Sequence, residues 1–309
     1  MIKCTRYIIL CFICLLLFNN NVNSFENKIL LKVNNEIITS IDILNELKYL
    51  RIINKEFRGL DKEQTFKISK NSVIREKIKE IEIKKIVNEI TVDDKILNNL
   101  LLNYFKEFKI KTISELDKFF LSNNIDPDTI KKKITIEMLW NQLIYDKYNQ
   151  NVRIDKKSII NELKKNDKQT EFLLSEILFN VSDNENLKDK LNLIKNSINK
   201  ISFSQTAIAH SISETANKGG KLGWIKESVL SKKIYNELKK LKIGELTKPI
   251  IVPGGFLILK VTDIREIRKD FNLNEEVNKI VREKTNLQLN RFSNIYFNKV
   301  KKDITINEL

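Results

Sequence analysis

Glycine and proline are rare in this chain, and nearly all of them sit in one stretch. Six of the seven glycines (Gly219, Gly220, Gly223, Gly244, Gly254 and Gly255) and two of the three prolines (Pro249 and Pro253) fall between Gly219 and Gly255. Glycine admits positive φ and close backbone approach, and proline fixes φ. The tight turns are therefore concentrated in one place. The pattern there is a Gly-rich turn, a short helix, a Lys-Ile-Gly turn, a strand, a Pro-Gly-Gly turn and a final strand from Phe256. It predicts a small, tightly turned α+β unit inside a chain whose remaining patterns are helical.

The 309 residues are enough for two or three domains. The formal charge of +15 raises the question of a nucleic-acid or anionic-surface partner. The lysines, however, are spread along helices beside glutamates, with no Arg-rich block and no aromatic interleaving. They read as solvated faces, and no nucleic acid is expected. Lys3 and Arg6 precede an apolar run from Tyr7 to Phe18, then a polar segment ending in Val22-Asn23-Ser24. This is the layout of a signal peptide cleaved after Ser24. The run is short for a membrane span, so no stable membrane insertion follows cleavage; an uncleaved anchor is the alternative. All three cysteines, Cys4, Cys11 and Cys14, lie in that segment, and the only histidine is His210. A mature chain without cysteine excludes a thiol nucleophile, disulfides and thiolate metal sites, and one histidine excludes a histidine-built metal site. No metal or cofactor is expected.

Along the chain, Ile29–Val33 and Glu36–Thr39 alternate around Asn34-Asn35, as in a hairpin. Ser40 is positioned to cap a helix over 41–52. Further helices are predicted over 62–88, from Asp93 to about Phe105, from a cap at Ser114, from the Asp126-Pro127 pair to about Tyr148, and over 155–165. Ile130, Ile134, Met138 and Trp140 look like core. The polar run 166–170 reads as a domain boundary. Beyond it come a strand over 172–179, helices over 184–199 and 203–209, the Gly-rich unit, a helix over 274–300 and an alternating edge strand near Ile304–Ile306.

The segment 171–265 resembles the parvulin family of peptidyl-prolyl isomerases. The matching pieces are Leu174-Ser175-Glu176-Ile177-Leu178, Ala207-Ile208-Ala209-His210-Ser211, Gly219-Gly220-Lys221-Leu222-Gly223-Trp224, Gly244-Glu245-Leu246 and 255–261. The flanks are similar to SurA-like periplasmic chaperones, through 31–38 followed by a helix and through the C-terminal helix. The resemblance implies an α+β chain with four parts. These are a signal peptide (1–24), a helical chaperone domain (25–170), one parvulin-like domain of a small antiparallel sheet surrounded by helices (171–266), and a C-terminal helix and strand packing on the N-terminal domain (267–309). It implies a periplasmic protein whose partners are unfolded or proline-containing polypeptides, outer-membrane proteins among them. Carried over, the apolar cup for a proline ring is Leu222, Leu230 and Ile234, with Phe256 as a further substrate contact. The polar positions are Glu176 and Ser213. The chain departs from the pattern where parvulins place two histidines, at Glu176 and Leu257, and where they place hydroxyls, at Val252 and Gly254. His210 is expected to be structural.

Two readings follow. One is an exported prolyl isomerase. The other is a non-catalytic chaperone whose parvulin-like unit only binds peptide. The apolar cup suits both, and the missing histidines favour the second.

Overall fold

The structure, a computed structural model, describes residues 27–165, 168–181, 185–268 and 272–309. The expected signal segment lies outside the described residues. Two antiparallel sheets organise the molecule, with strand orders β2-β1-β7 and β4-β3-β6-β5.

The first sheet begins with β1 (Ile29–Val33) and β2 (Glu36–Thr39), joined through Asn34 at φ 50°. Its third strand is β7 (Ile306–Glu308) from the far end of the chain, with Val33 opposite Ile306 and Leu31 opposite Glu308. The helix α1 (Ser40–Ile53) is capped by Thr39, one residue before the expected Ser40. Thr39 and Asp42 form a reciprocal capping box, and that pairing selects between two adjacent hydroxyls. The helix α2 (Lys62–Lys84) stops short of the expected Asn88. It is followed by α3 (Asp94–Tyr104), α4 (Ile113–Ser122), α5 (Pro127–Tyr148) and α6 (Lys156–Lys165). The start of α4 is capped by Thr112, which accepts the Glu115 N–H, and Ser114 lies inside the helix. Asp126 and Pro127 open α5 as expected.

The second sheet is built on β3 (Lys168–Phe179) and β6 (Gly255–Arg268), paired along their length. Lys168, Gln169 and Thr170, expected in a boundary, are strand residues opposite Arg268, Ile267 and Glu266. The outer strands are β4 (Lys221–Lys226) and β5 (Ile250–Val252). The Gly-rich piece is thus a turn that continues into a strand, with Leu173 opposite Trp224. Gly223, at φ +80° inside β4, breaks the alternation that would have marked it. On one face of the sheet, Leu174, Leu178, Leu257 and Leu259 pack on α9 (Lys232–Leu238). On the other, Ile177, Phe179 and Ile258 pack on α7 (Leu187–Lys200) and α8 (Phe203–His210). The two sets obey the period of two of a strand.

The last helix, α10 (Leu273–Lys302), ties these layers together. Its Tyr296, Phe297 and Val300 share a core with Leu31, Val33, Ile78 and Trp140. Its Val277 and Ile280 pack with Ile159 and Leu163 of α6 and with Val229. The indole N–H of Trp140 donates to Ser293 Oγ at 2.8 Å. Met138, expected in the core, is only half-buried, because two residues along the helix it faces away from the side that buries Trp140. Among the described residues, no helix is long and apolar enough to cross a membrane.

Candidate functional site

Between the α9 face of the second sheet and α10 lies a cleft of about 90 Å³. Its walls are apolar: Leu222 of β4, Leu230, Ile234 of α9, and Leu257 and Leu259 of β6. Ile234 is buried, while Leu222 and Leu230 are half-buried. Leu230 precedes Ser231, whose side chain caps α9, so the wall is set by the start of that helix.

The floor is polar. Glu176 lies on the cleft side of β3, two residues from Leu174 and from Leu178. The segment 211–215 crosses beside it. Ile212 N–H donates to Leu178 O at 2.7 Å, and Leu178 N–H donates to Ser211 Oγ at 3.0 Å. From there hydroxyls run in sequence: Ser211 Oγ to Ser213 Oγ at 2.9 Å, Ser213 Oγ to Thr215 Oγ1 at 2.9 Å, and Thr215 donating to Glu176 Oε1 at 2.8 Å. Burial pushes the Glu176 carboxyl above its ordinary pKa, and the hydroxyls of Thr215 and Ser213 and the charge of Arg291 offset this only in part. Gly220 makes the close approach possible. It sits at φ +74°, its carbonyl accepts the Glu176 N–H at 2.7 Å, and a Cβ there would lie 2.1 Å from Glu176 O.

The hydroxyl segment is anchored from outside the second sheet. Glu214 accepts from Arg75 Nη2 at 3.0 Å and pairs with Lys79 Nζ at 3.3 Å, both on α2. Arg75 Nη1 also donates to Ile212 O at 3.1 Å. Lys79 is fully buried and pairs with Glu137 of α5 at 2.6 Å. Burial alone would raise the Glu214 pKa, but the charges of Lys79 and Arg75 outweigh it and hold the carboxyl well below its ordinary range.

The roof is α10, through Leu287, Asn290, Arg291 and Asn294. Arg291 faces Glu176 across the cleft.

Of the residues singled out in the sequence, Glu176, Ser213, Leu222, Leu230 and Ile234 line this one cleft. Phe256 does not. It points to the other face of the sheet and stacks on Phe179, with ring centroids 5.6 Å apart. The neighbouring Leu257 lines the cleft instead, as the alternation of a strand requires. His210 ends α8 outside the cleft lining, and burial, then the charges of Lys190 and Lys67, push its pKa down. Val252 lines the cleft, without a hydroxyl. Thr215, Arg291 and Asn294 were not singled out. Thr215 was within reach of sequence reasoning, because Ser211, Ser213 and Thr215 alternate. Arg291 and Asn294 carry no local signal. Among the described residues no group of three His, Cys, Asp or Glu side chains is placed to hold a metal ion.

The fold and cleft define an α+β protein in which a helix-flanked antiparallel sheet presents a small apolar cup over a carboxyl and hydroxyl floor. Residues 156–263 match the rotamase family model, described as a PPIC-type PPIASE domain, so the chain carries one PpiC-type peptidyl-prolyl isomerase domain. Among solved structures, a PpiC-type isomerase domain is similar over 32% of this chain and 95% of its own, at 26% identity and a TM-score of 0.29. A structure from a pair of SurA-like chaperones of Campylobacter jejuni is similar over 92% of this chain and 99% of its own, at 17% identity and a TM-score of 0.37. The peptidylprolyl isomerase PrsA of Bacillus cereus is similar over 87% and 88%, at 19% identity and a TM-score of 0.29. No curated protein matches the chain.

Proposed function

We propose that this chain is an exported folding factor that takes unfolded, proline-containing polypeptides into the cleft and turns over X–Pro bonds slowly. The observation that carries the reading is the joining of the apolar cup, Leu222, Leu230 and Ile234, to the floor of Glu176, Ser213 and Thr215. Rotation about X–Pro makes and breaks no bond, and its barrier in the free peptide is ~18–20 kcal/mol. A catalyst must hold the ring and favour the twisted amide over the planar one. The cup does the first, since burying one apolar group contributes roughly 1.5–3 kcal/mol. Glu176 serves the second. Twisting frees the lone pair of the prolyl nitrogen, and a protonated carboxyl can donate to it. The burial that raises the Glu176 pKa makes that form more available. The hydroxyl chain orients the carboxyl.

The segment 1–24 supports export, and a periplasmic setting with outer-membrane proteins as clients is the finer part of the proposal. A second reading, peptide binding without turnover, is favoured by Leu257, which puts an apolar side chain where parvulins place a histidine. The test is a prolyl-peptide isomerisation assay on residues 25–309, run beside suppression of aggregation of an unfolded outer-membrane protein. Measurable isomerisation that disappears in Glu176→Ala, together with suppressed aggregation, is expected. Suppressed aggregation without isomerisation selects the second reading. Neither activity overturns both.

A further inference from the structure

The roof of the cleft does not belong to the PpiC-type domain. Arg291 and Asn294 lie on α10, beyond residue 263 where the family match ends. Their spacing of three residues puts both on one helix face. Asn294 is 5% exposed, and its Nδ2 donates to Asn290 O at 3.0 Å. That bond turns the Oδ1 atom away from its own helix, and Oδ1 has no hydrogen-bond partner among the described residues. A buried acceptor left unmet costs free energy, so it marks a place where something is missing. Arg291 is half-buried, and burial lowers its pKa. Its charge is answered by Glu176 across the cleft, yet no hydrogen bond or ion pair within 4 Å joins it to the described residues. Arg291 and Asn294 thus both line the cleft, with the guanidinium and the amide oxygen Oδ1 making no hydrogen bond among the described residues.

We infer that Arg291 and Asn294 are substrate-binding residues that receive the main chain of the bound polypeptide, Arg291 donating to a backbone carbonyl and Asn294 Oδ1 accepting a backbone N–H. A peptide offers this pair of groups at every residue, whatever its side chains. The contact belongs to amides flanking the rotating bond. A donor on the carbonyl of the X–Pro amide itself would strengthen its double-bond character and oppose twisting. The roof residues therefore hold the substrate, while the rotation is left to the floor. The binding site is composite, with its cup on the PpiC-type domain and its main-chain clamp on the helix that also completes the N-terminal core.

The inference rests on the reading of the cleft as a peptide site, and the experiment separates the two. A fluorescein-labelled peptide with one leucyl-prolyl bond is titrated by anisotropy against residues 25–309, and its isomerisation is followed on the same variants. Arg291→Ala is expected to weaken binding about tenfold, as for loss of a hydrogen bond from a charged donor, and Asn294→Ala severalfold. Both should raise KM. Asn294→Ala should leave kcat within about twofold, whereas Arg291→Ala, by removing a charge that lowers the Glu176 pKa, should also move the fall of kcat to higher pH. Arg291→Lys, which keeps the charge without the planar fork, should fall between wild type and Arg291→Ala. Thermal melts show which variants are folded, and Arg291→Lys keeps the test open if Arg291→Ala is not. Unchanged affinity in folded Arg291 and Asn294 variants, with Leu230→Ala still weakened, overturns this inference alone. Tighter binding in Arg291→Ala overturns it too, and makes α10 a cover over the cleft. No binding by wild type overturns the peptide-site reading and this inference with it.

Discussion

Glu176 is the residue on which the proposed chemistry turns, and its environment gives that chemistry a pH dependence. Burial raises its pKa above the ordinary carboxyl value. The acid form therefore predominates below the raised value and is lost as pH rises through it. If that form donates to the prolyl nitrogen, isomerisation should be fastest at acidic pH and fall through a window that begins above ~4.5. Glu176→Gln keeps an N–H donor at all pH values, so its profile should be flat, at a lower rate. A wild-type profile as flat as that of Glu176→Gln would rule the proton out. Leu230 tests the cup without touching the floor. Truncating one apolar wall forfeits a good part of the ~1.5–3 kcal/mol its contact contributes, and 1.4 kcal/mol is about tenfold in affinity. Leu230→Ala should weaken binding of the leucyl-prolyl peptide severalfold by anisotropy. Unchanged affinity in the folded variant would remove the cup.

At the scale of elements, the segment 211–215 is the piece whose position is decided from far away. Its hydroxyls reach Glu176, while Glu214 between them is held by Arg75 and Lys79 of α2. Lys79 is fully buried between Glu137 and Glu214 and lies 5.6 Å from the centroid of the Trp140 ring. Removing the ammonium leaves Glu137 without its cation and Glu214 with Arg75 alone. Breaking a buried pair costs ~3–5 kcal/mol. Glu137 is partly in water and can turn outward, so Lys79→Met should cost about 2–3 kcal/mol, read from urea unfolding. The sign with pH follows from Glu214. Its folded pKa is depressed, so its contribution is present above the unfolded value and is lost as pH falls through the range below ~4.5. Lys79→Met should remove much of that acid sensitivity, and a variant as stable as wild type at neutral pH would show that the cluster does not hold the segment. This dependence on distant contacts also explains what could be read from the sequence. Asp126-Pro127 names its helix start because cap and proline act locally. Thr39 and Thr112 were passed over for Ser40 and Ser114 because neighbouring hydroxyls differ only in the backbone they meet. The strand β4 was hidden by Gly223. Five cleft residues were legible through the family resemblance, Glu176 and Leu222 inside its motifs and Ser213, Leu230 and Ile234 by their positions between them. Arg291 and Asn294 were not, because they reach the cleft only through the placement of α10.

The molecule as a whole is closed by its last 36 residues, 274–309. Tyr296, Phe297 and Val300 complete the core that Leu31, Val33, Ile78 and Trp140 begin, and β7 covers the free edge of β1. Truncating one such buried side chain typically costs about 2–5 kcal/mol, against ~5–15 kcal/mol of total stability for a whole domain. Losing three at once, with the strand edge, exceeds what the N-terminal helices can spare. The second sheet stands differently. Its two apolar clusters, around Leu174 and Leu257 on one face and Ile177 and Ile258 on the other, take no residue from α10. Its losses would be Val229 against Ile280, the Lys226–Glu276 pair, the roof of the cleft and, once α2 unfolds, the Arg75 and Lys79 contacts to Glu214. Deleting residues 274–309 should therefore unfold the part before residue 166 and leave the PpiC-type domain folded, with weakened peptide binding. Hydrogen exchange on the truncated chain reads this directly: protection should vanish over α2 and α5 and persist over β3 and β6. A cooperative, fully protected helical part in the truncated chain would show that α10 rests on a core already complete without it.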